Sequence, residues 1–129
     1  LGLPDVLDGD PEFGLQSARL LDQMAEDGVV LCPVSYIELA PAFLGDRQRQ
    51  NEFLTQMGIE YSIPWEWSDT QQAHQAWERY VQQRRQRQIP KRPVADILIG
   101  AFASGRKGLL TRNAGDFTPV FPKLTIRTP

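Results

Sequence analysis

Short apolar runs alternate along the chain with stretches whose apolar positions recur every three or four residues. Residues 29–32 form a continuous apolar run, closed by Pro33, as expected of a strand covered on both faces in a parallel sheet. Residues 59–63, β-branched and aromatic between Gly58 and Pro64, predict a second strand, and residues 109–111 and 124–126 predict a third and fourth. Between them, Leu15, Ala18, Leu21 and Ala25 predict a helix over 14–27 that ends at Gly28. Two more helices are predicted over 35–44 and 46–57, the latter with Phe53, Leu54 and Met57 inward. A long helix begins near Ser68, with Ser68 or Asp69 as cap and Ala73, Trp77, Tyr80, Val81 and Arg84 along one face. Pro93 suits the start of a final helix over 94–104. Strands alternating with helices imply βαβ units, and so an α/β protein built as a three-layer α/β/α sandwich around a central parallel sheet.

At 129 residues the chain has the length of one domain, with no linker or repeat dividing it, and residues 1–129 are read as a single unit. Hydrophobic residues at 41% and charged residues at 23% exclude whole-chain disorder. No apolar run approaches the roughly 20 residues that span a bilayer, and no basic leader precedes a short apolar stretch, so a soluble cytoplasmic protein is expected. The lone Cys32 excludes a disulfide framework and a thiolate zinc cluster, and reads as a small buried hydrophobe. His74 has no acid or cysteine at ligand spacing and reads as a surface helix residue. Trp65, Trp67 and Trp77 read as core or interface aromatics rather than stacking platforms.

A net charge of -2 gives no global basic footprint. The distribution is more informative, because Arg84, Arg85, Arg87, Lys91 and Arg92 crowd into nine residues that lead towards Asp96. They are either a solvated helix end or a path for phosphates.

Three acids carry the candidate chemistry: Glu38, Asp96 and Asp116, each just after a predicted strand or just inside a helix start. In a parallel sheet such residues converge at the carboxyl edge, where open α/β folds bind ligands. Carboxylates held close together repel one another unless a cation lies between them. Mg²⁺ suits this role and can activate water against a phosphodiester. Each acid also has a simpler reading. Ser35 and Glu38 have the spacing of a capping box, and Asp96 is favoured near a helix amino end by the dipole alone.

In their order and spacing, these motifs resemble the PIN-domain nucleases, in particular VapC-type toxins. The resemblance rests on a strand followed by Ser35-x-x-Glu38, on Val94-Ala95-Asp96-x-x-Ile99-x-Ala101, and on Thr111-Arg112-Asn113-x-x-Asp116-Phe117 before a final strand. It implies that Glu38, Asp96 and Asp116 bind Mg²⁺ or Mn²⁺ and cleave RNA, with Thr111, Asn113 and Ser35 orienting ligands or water. Arg84, Arg85, Arg87, Lys91, Arg92 and Arg112 would then line the RNA path. It also implies a cognate antitoxin that silences the nuclease and a homodimer formed through helices near 35–57. The family opens with a central strand running into its first acid, and here that strand and acid are expected to be missing, by truncation rather than loss. Asp5 and Asp8 match the segment after that motif, and neither is assigned as a ligand. Two other functions fit the same acids: a catalytically silent RNA- or protein-binding module, and a Mg²⁺ phosphohydrolase acting on small phosphoesters.

Overall fold

The computed structural model of the protein describes residues 4–8, 28–86 and 89–128. Five parallel strands form one sheet in the order β3-β2-β1-β4-β5. They are β1 (Asp5–Leu7), β2 (Val29–Leu31), β3 (Ile59–Glu60), β4 (Gly108–Leu110) and β5 (Ile126–Arg127). Among the described residues four helices accompany them: α1 (Pro33–Glu38), α2 (Arg47–Gln56), α3 (Trp67–Arg85) and α4 (Val94–Ser104). The helix expected over 14–27 lies outside the described residues.

The expectation of a missing first strand is overturned. β1 is the central strand, paired with β2 on one side and β4 on the other, with Val6 opposite both Val30 and Leu109. Its sequence concealed it. Only Val6 and Leu7 are apolar, and they are enclosed by Asp5 and Asp8, so no run is long enough to register as a buried strand.

The register explains how both faces are covered. Val6, Val30, Leu109 and Ile126 lie in one cross-strand row and pack with α3 and α4 through Ala73, Ala76, Tyr80, Ile97, Ala101 and Phe102. Leu7, Leu31 and Leu110 point the other way and join Leu39, Leu54 and Ile59. Helices and side chains on both faces leave β1, β2 and β4 buried throughout, which is why β2 and β4 read as apolar runs and not as alternating ones.

The helix boundaries move for identifiable reasons. α1 starts at Pro33, two residues before the expected position, because a proline at the first helical position gives up only an N–H that would be unpaired anyway. Ser35 therefore sits inside the helix and caps nothing, so the capping-box reading of Ser35 and Glu38 fails. Pro41 prevents the helix from reaching residue 44; a 3₁₀ turn over Ala40–Phe43 replaces it, and the chain reverses at Leu44 (φ 55°) and Gly45 (φ 77°). α3 begins one residue early, at Trp67 after Glu66, whose backbone N–H donates to Asp69 Oδ2 at 2.9 Å. Its buried stripe is Asp69, Ala73, Ala76 and Tyr80, so Trp77 and Arg84 turn outward instead of inward. Asp69 is buried because it also pairs with Arg106, Nη1 to Oδ1 at 2.8 Å, and the Arg106 guanidinium lies 3.5 Å above the Phe102 ring. α4 spans the expected residues. Trp65 packs on Phe102 and donates to Thr70 Oγ1 at 2.7 Å, whereas Trp67 stays 73% exposed. Cys32 is buried as expected, and burial pushes its thiol up to about 11, leaving it neutral and inert.

Candidate functional site

The parallel sheet brings the ends of β1, β2 and β4 to one edge, and the acids follow from what each strand runs into. Asp8 is the residue after β1, and its backbone N–H donates to Leu110 O at 2.8 Å, continuing the ladder with β4. Glu38 closes α1. Asp96 lies in the first turn of α4, and Asp116 ends a 3₁₀ turn over Ala114–Asp116 beyond β4.

Asp96 reports how these groups stand to one another. Its carboxyl is pushed up to about 6, first by burial and then by the negative charges of Asp116 and Asp8, with Glu38 adding to the rise and Arg92 opposing it. Asp8, Glu38 and Asp116 therefore each bear on the Asp96 carboxyl at the same edge of the sheet. Glu38 and Asp116, expected beside Asp96, both lie within its electrostatic reach, and so does Asp8, an acid to which the sequence reading assigned no ligand role. Glu38 is solvent-exposed, and its carboxyl is raised by partial burial.

Thr111 holds Asp8. Its hydroxyl donates to Asp8 Oδ2 at 2.8 Å and accepts from the Asn113 backbone N–H at 3.0 Å. Asn113 thus braces the edge through its backbone while its side chain is exposed. Ser35 is fully buried, and its Oγ has no hydrogen-bond partner.

The basic stretch does not act as one block. Arg92 forms an ion pair with Asp116 inside the acidic edge. Its backbone is fixed by Tyr80, whose hydroxyl accepts from Arg92 N at 2.7 Å and donates to Arg92 O at 3.2 Å. Arg84 Nη1 donates to Ile89 O at 2.9 Å, closing the end of α3. Arg85, Lys91 and Arg112 are exposed, and Arg87 lies outside the described residues. Helical spacing places Tyr80 only on one face of the long helix; its separation of 12 residues from Arg92 gives no local signal for the clamp.

The donor chemistry is that of a hard-cation site: several carboxylates, a hydroxyl and a raised pKa that a positive charge would relieve. The side chains are not closed into a ligand set, however. Among the described residues no three His, Cys, Asp or Glu side chains stand close enough to hold one metal ion, and the Asp116 carboxylate is taken by Arg92. Elsewhere, the residues Pro33, Val34, Ile37, Trp65, Ala73 and Leu98 line an apolar hollow of about 380 Å³. No described helix is long and apolar enough to cross a membrane. No family model and no curated protein matches the chain.

Proposed function

We propose that the protein is a metal-dependent endoribonuclease of PIN-domain type, acting in the cytoplasm as a toxin held silent by a cognate antitoxin. The observation that carries this reading is the position of Asp8, Glu38, Asp96 and Asp116 at the carboxyl edge of an all-parallel sheet, where burial first and then the neighbouring acids raise the Asp96 carboxyl to about 6. β1 adds support, because it supplies the central strand and leading acid that the resemblance requires.

Asp8, Asp96 and Asp116 would hold Mg²⁺ or Mn²⁺, with Glu38 at the rim. When bound, the ion supplies a lowered pKa for its water and positive charge opposite the phosphodiester oxygens. The chain's own groups do the rest. Thr111 fixes the Asp8 carboxylate, Tyr80 fixes Arg92, and Arg92 is placed to release Asp116 and meet a phosphate by two parallel N–H contacts. Arg85, Lys91 and Arg112 offer exposed charge for the flanking backbone. The apolar hollow lined from α1, α3 and α4, with Ile37 70% exposed, supports a protein partner docking on the helices that carry Glu38 and Asp96.

The deciding experiment incubates purified parent, Asp8→Asn and Asp96→Asn with single-stranded RNA and Mg²⁺ or Mn²⁺. Cleavage by the parent, abolished by EDTA and reduced about a hundredfold or more in each variant, is expected. Equal cleavage by parent and variants rejects the assignment.

The Arg92–Asp116 pair favours one other reading, a catalytically silent RNA-binding module in which Arg92 takes the place of the ion. RNA binding by the parent without cleavage in either metal would select it.

A further inference from the structure

A second recess lies at the opposite, amino edge of the sheet, and its chemistry is the reverse of the acidic edge. It encloses about 560 Å³ between the first half of α3, the carboxyl end of α4 and the loop that leads into β5. Arg79, Arg106, Lys107 and Lys123 all line it, and among the described residues no acidic one does. A pocket lined by one sign of charge concentrates ions of the other sign, and the chain's overall charge of -2 makes this concentration a local property.

The cations are not equivalent. Arg106 is held by buried Asp69, and Lys107 Nζ stands 4.0 Å from Asp5 Oδ2, an oxygen that is buried and accepts no hydrogen bond. Those two are anchored from below. Arg79 uses its Nε to reach Val120 O at 3.2 Å, which orients the guanidinium and leaves both Nη groups without an acid. Lys123 is exposed and has no partner among the described residues. Two uncompensated positive charges therefore face one cavity. Gln72 and Gln75, one α3 turn apart, add amide groups on the same wall, and Phe121 with Leu124 gives the recess an apolar side. Positive charge, amides and an apolar wall together suit a phosphate ester that carries a flat, hydrogen-bonding group.

We propose that this recess binds a phosphate ester of nucleotide size, its phosphate between Arg79 and Lys123 and its base or sugar towards Gln75 and Phe121. The ligand is either a free nucleotide or one nucleotide of an RNA strand. The site shares no residue with the acidic edge, so binding here stands or falls independently of cleavage there.

Calorimetric titration of the full chain in EDTA separates the possibilities, with adenosine 5′-monophosphate, adenosine and a single-stranded RNA pentamer as probes. The variants are Lys123→Glu and Gln75→Glu, both at exposed positions where the fold is not at stake, with Asp96→Asn as the control. Binding of the monophosphate but not of adenosine to the parent and to Asp96→Asn, weakened about tenfold or more in Lys123→Glu, is the expected result. A pentamer that competes with the monophosphate and is weakened in the same variants identifies RNA as the source; a pentamer that does not compete identifies a free nucleotide. Absence of monophosphate binding to the parent at millimolar concentration, or equal affinity in parent and Lys123→Glu, overturns the proposal.

Discussion

At the scale of single residues, Asp96 and Arg92 hold opposite ends of one electrostatic balance. The Asp96 carboxyl rises from 3.8 to about 6 on folding, so its contribution to stability is complete below 3.8 and is lost as pH rises through about 6. Asp96→Asn removes that loss. In EDTA the variant should unfold at a higher temperature than the parent above pH 6 and lose the advantage under acid conditions. Because Asp96 is only partly buried, the difference is about 1 kcal/mol after solvent screening, or about 4 °C. A pH-independent difference, read by thermal unfolding at several pH values, would show that the acids do not repel one another. Arg92 counters the repulsion and occupies Asp116. Arg92→Gln should therefore lower apo stability while increasing the thermal shift produced by saturating Mg²⁺ or Mn²⁺, since the ion no longer competes with an internal cation. An unchanged metal shift would separate Asp116 from the ion.

At the scale of elements, packing explains both what could be read from the chain and what could not. α4 was legible to the residue because its apolar positions run continuously between Pro93 and Gly105. β1 was not, because a three-residue strand that opens on Asp5 and runs into Asp8 carries its signal in its neighbours, β2 and β4, and not in its own composition. Asp8 was lost with it, so the acid that follows the central strand became visible only once the strand had been placed. The Ser35–Glu38 spacing misled for a related reason: Pro33 moved the helix start, and a motif for capping fell inside the turn it was meant to cap. The division of the Arg84 to Arg92 cluster was not legible, because hydrogen bonds from Tyr80 and to Ile89 O distribute it between the acidic edge and a helix end. Close packing also yields a test. A methyl group at Gly100 would drive into the buried Phe121 ring, which cannot swing aside while Phe117 and Val120 are buried around it. Gly100→Ala should destabilise the protein by about 1–3 kcal/mol despite its better helix propensity, as measured by urea unfolding. A stabilised variant would mean that α4 and the 117–121 segment are packed loosely.

At the scale of the whole molecule, the parallel sheet sorts charge by its two edges. Asp8, Glu38, Asp96 and Asp116 lie beyond the carboxyl ends of the strands, while Lys107 precedes β4 and Lys123 stands ahead of β5 at the amino ends. A small divalent cation should therefore be drawn to one edge and kept from the other, even before a ligand set closes around it. This can be read directly with Mn²⁺, whose unpaired electrons broaden nearby amide signals. Substoichiometric Mn²⁺ should erase the amides of Asp8, Leu39, Ile97 and Phe117, next to or within the acids, and spare Lys107, Gly108 and Thr125. Asp96→Asn should weaken the broadening at all of the first group together, because the four carboxylates act on one field and the loss of one lowers the attraction for the ion that the others share. Broadening confined to Glu38 and its neighbours would reduce the site to one exposed carboxylate. Uniform broadening over both edges would show that the sheet's division of charge does not direct the cation.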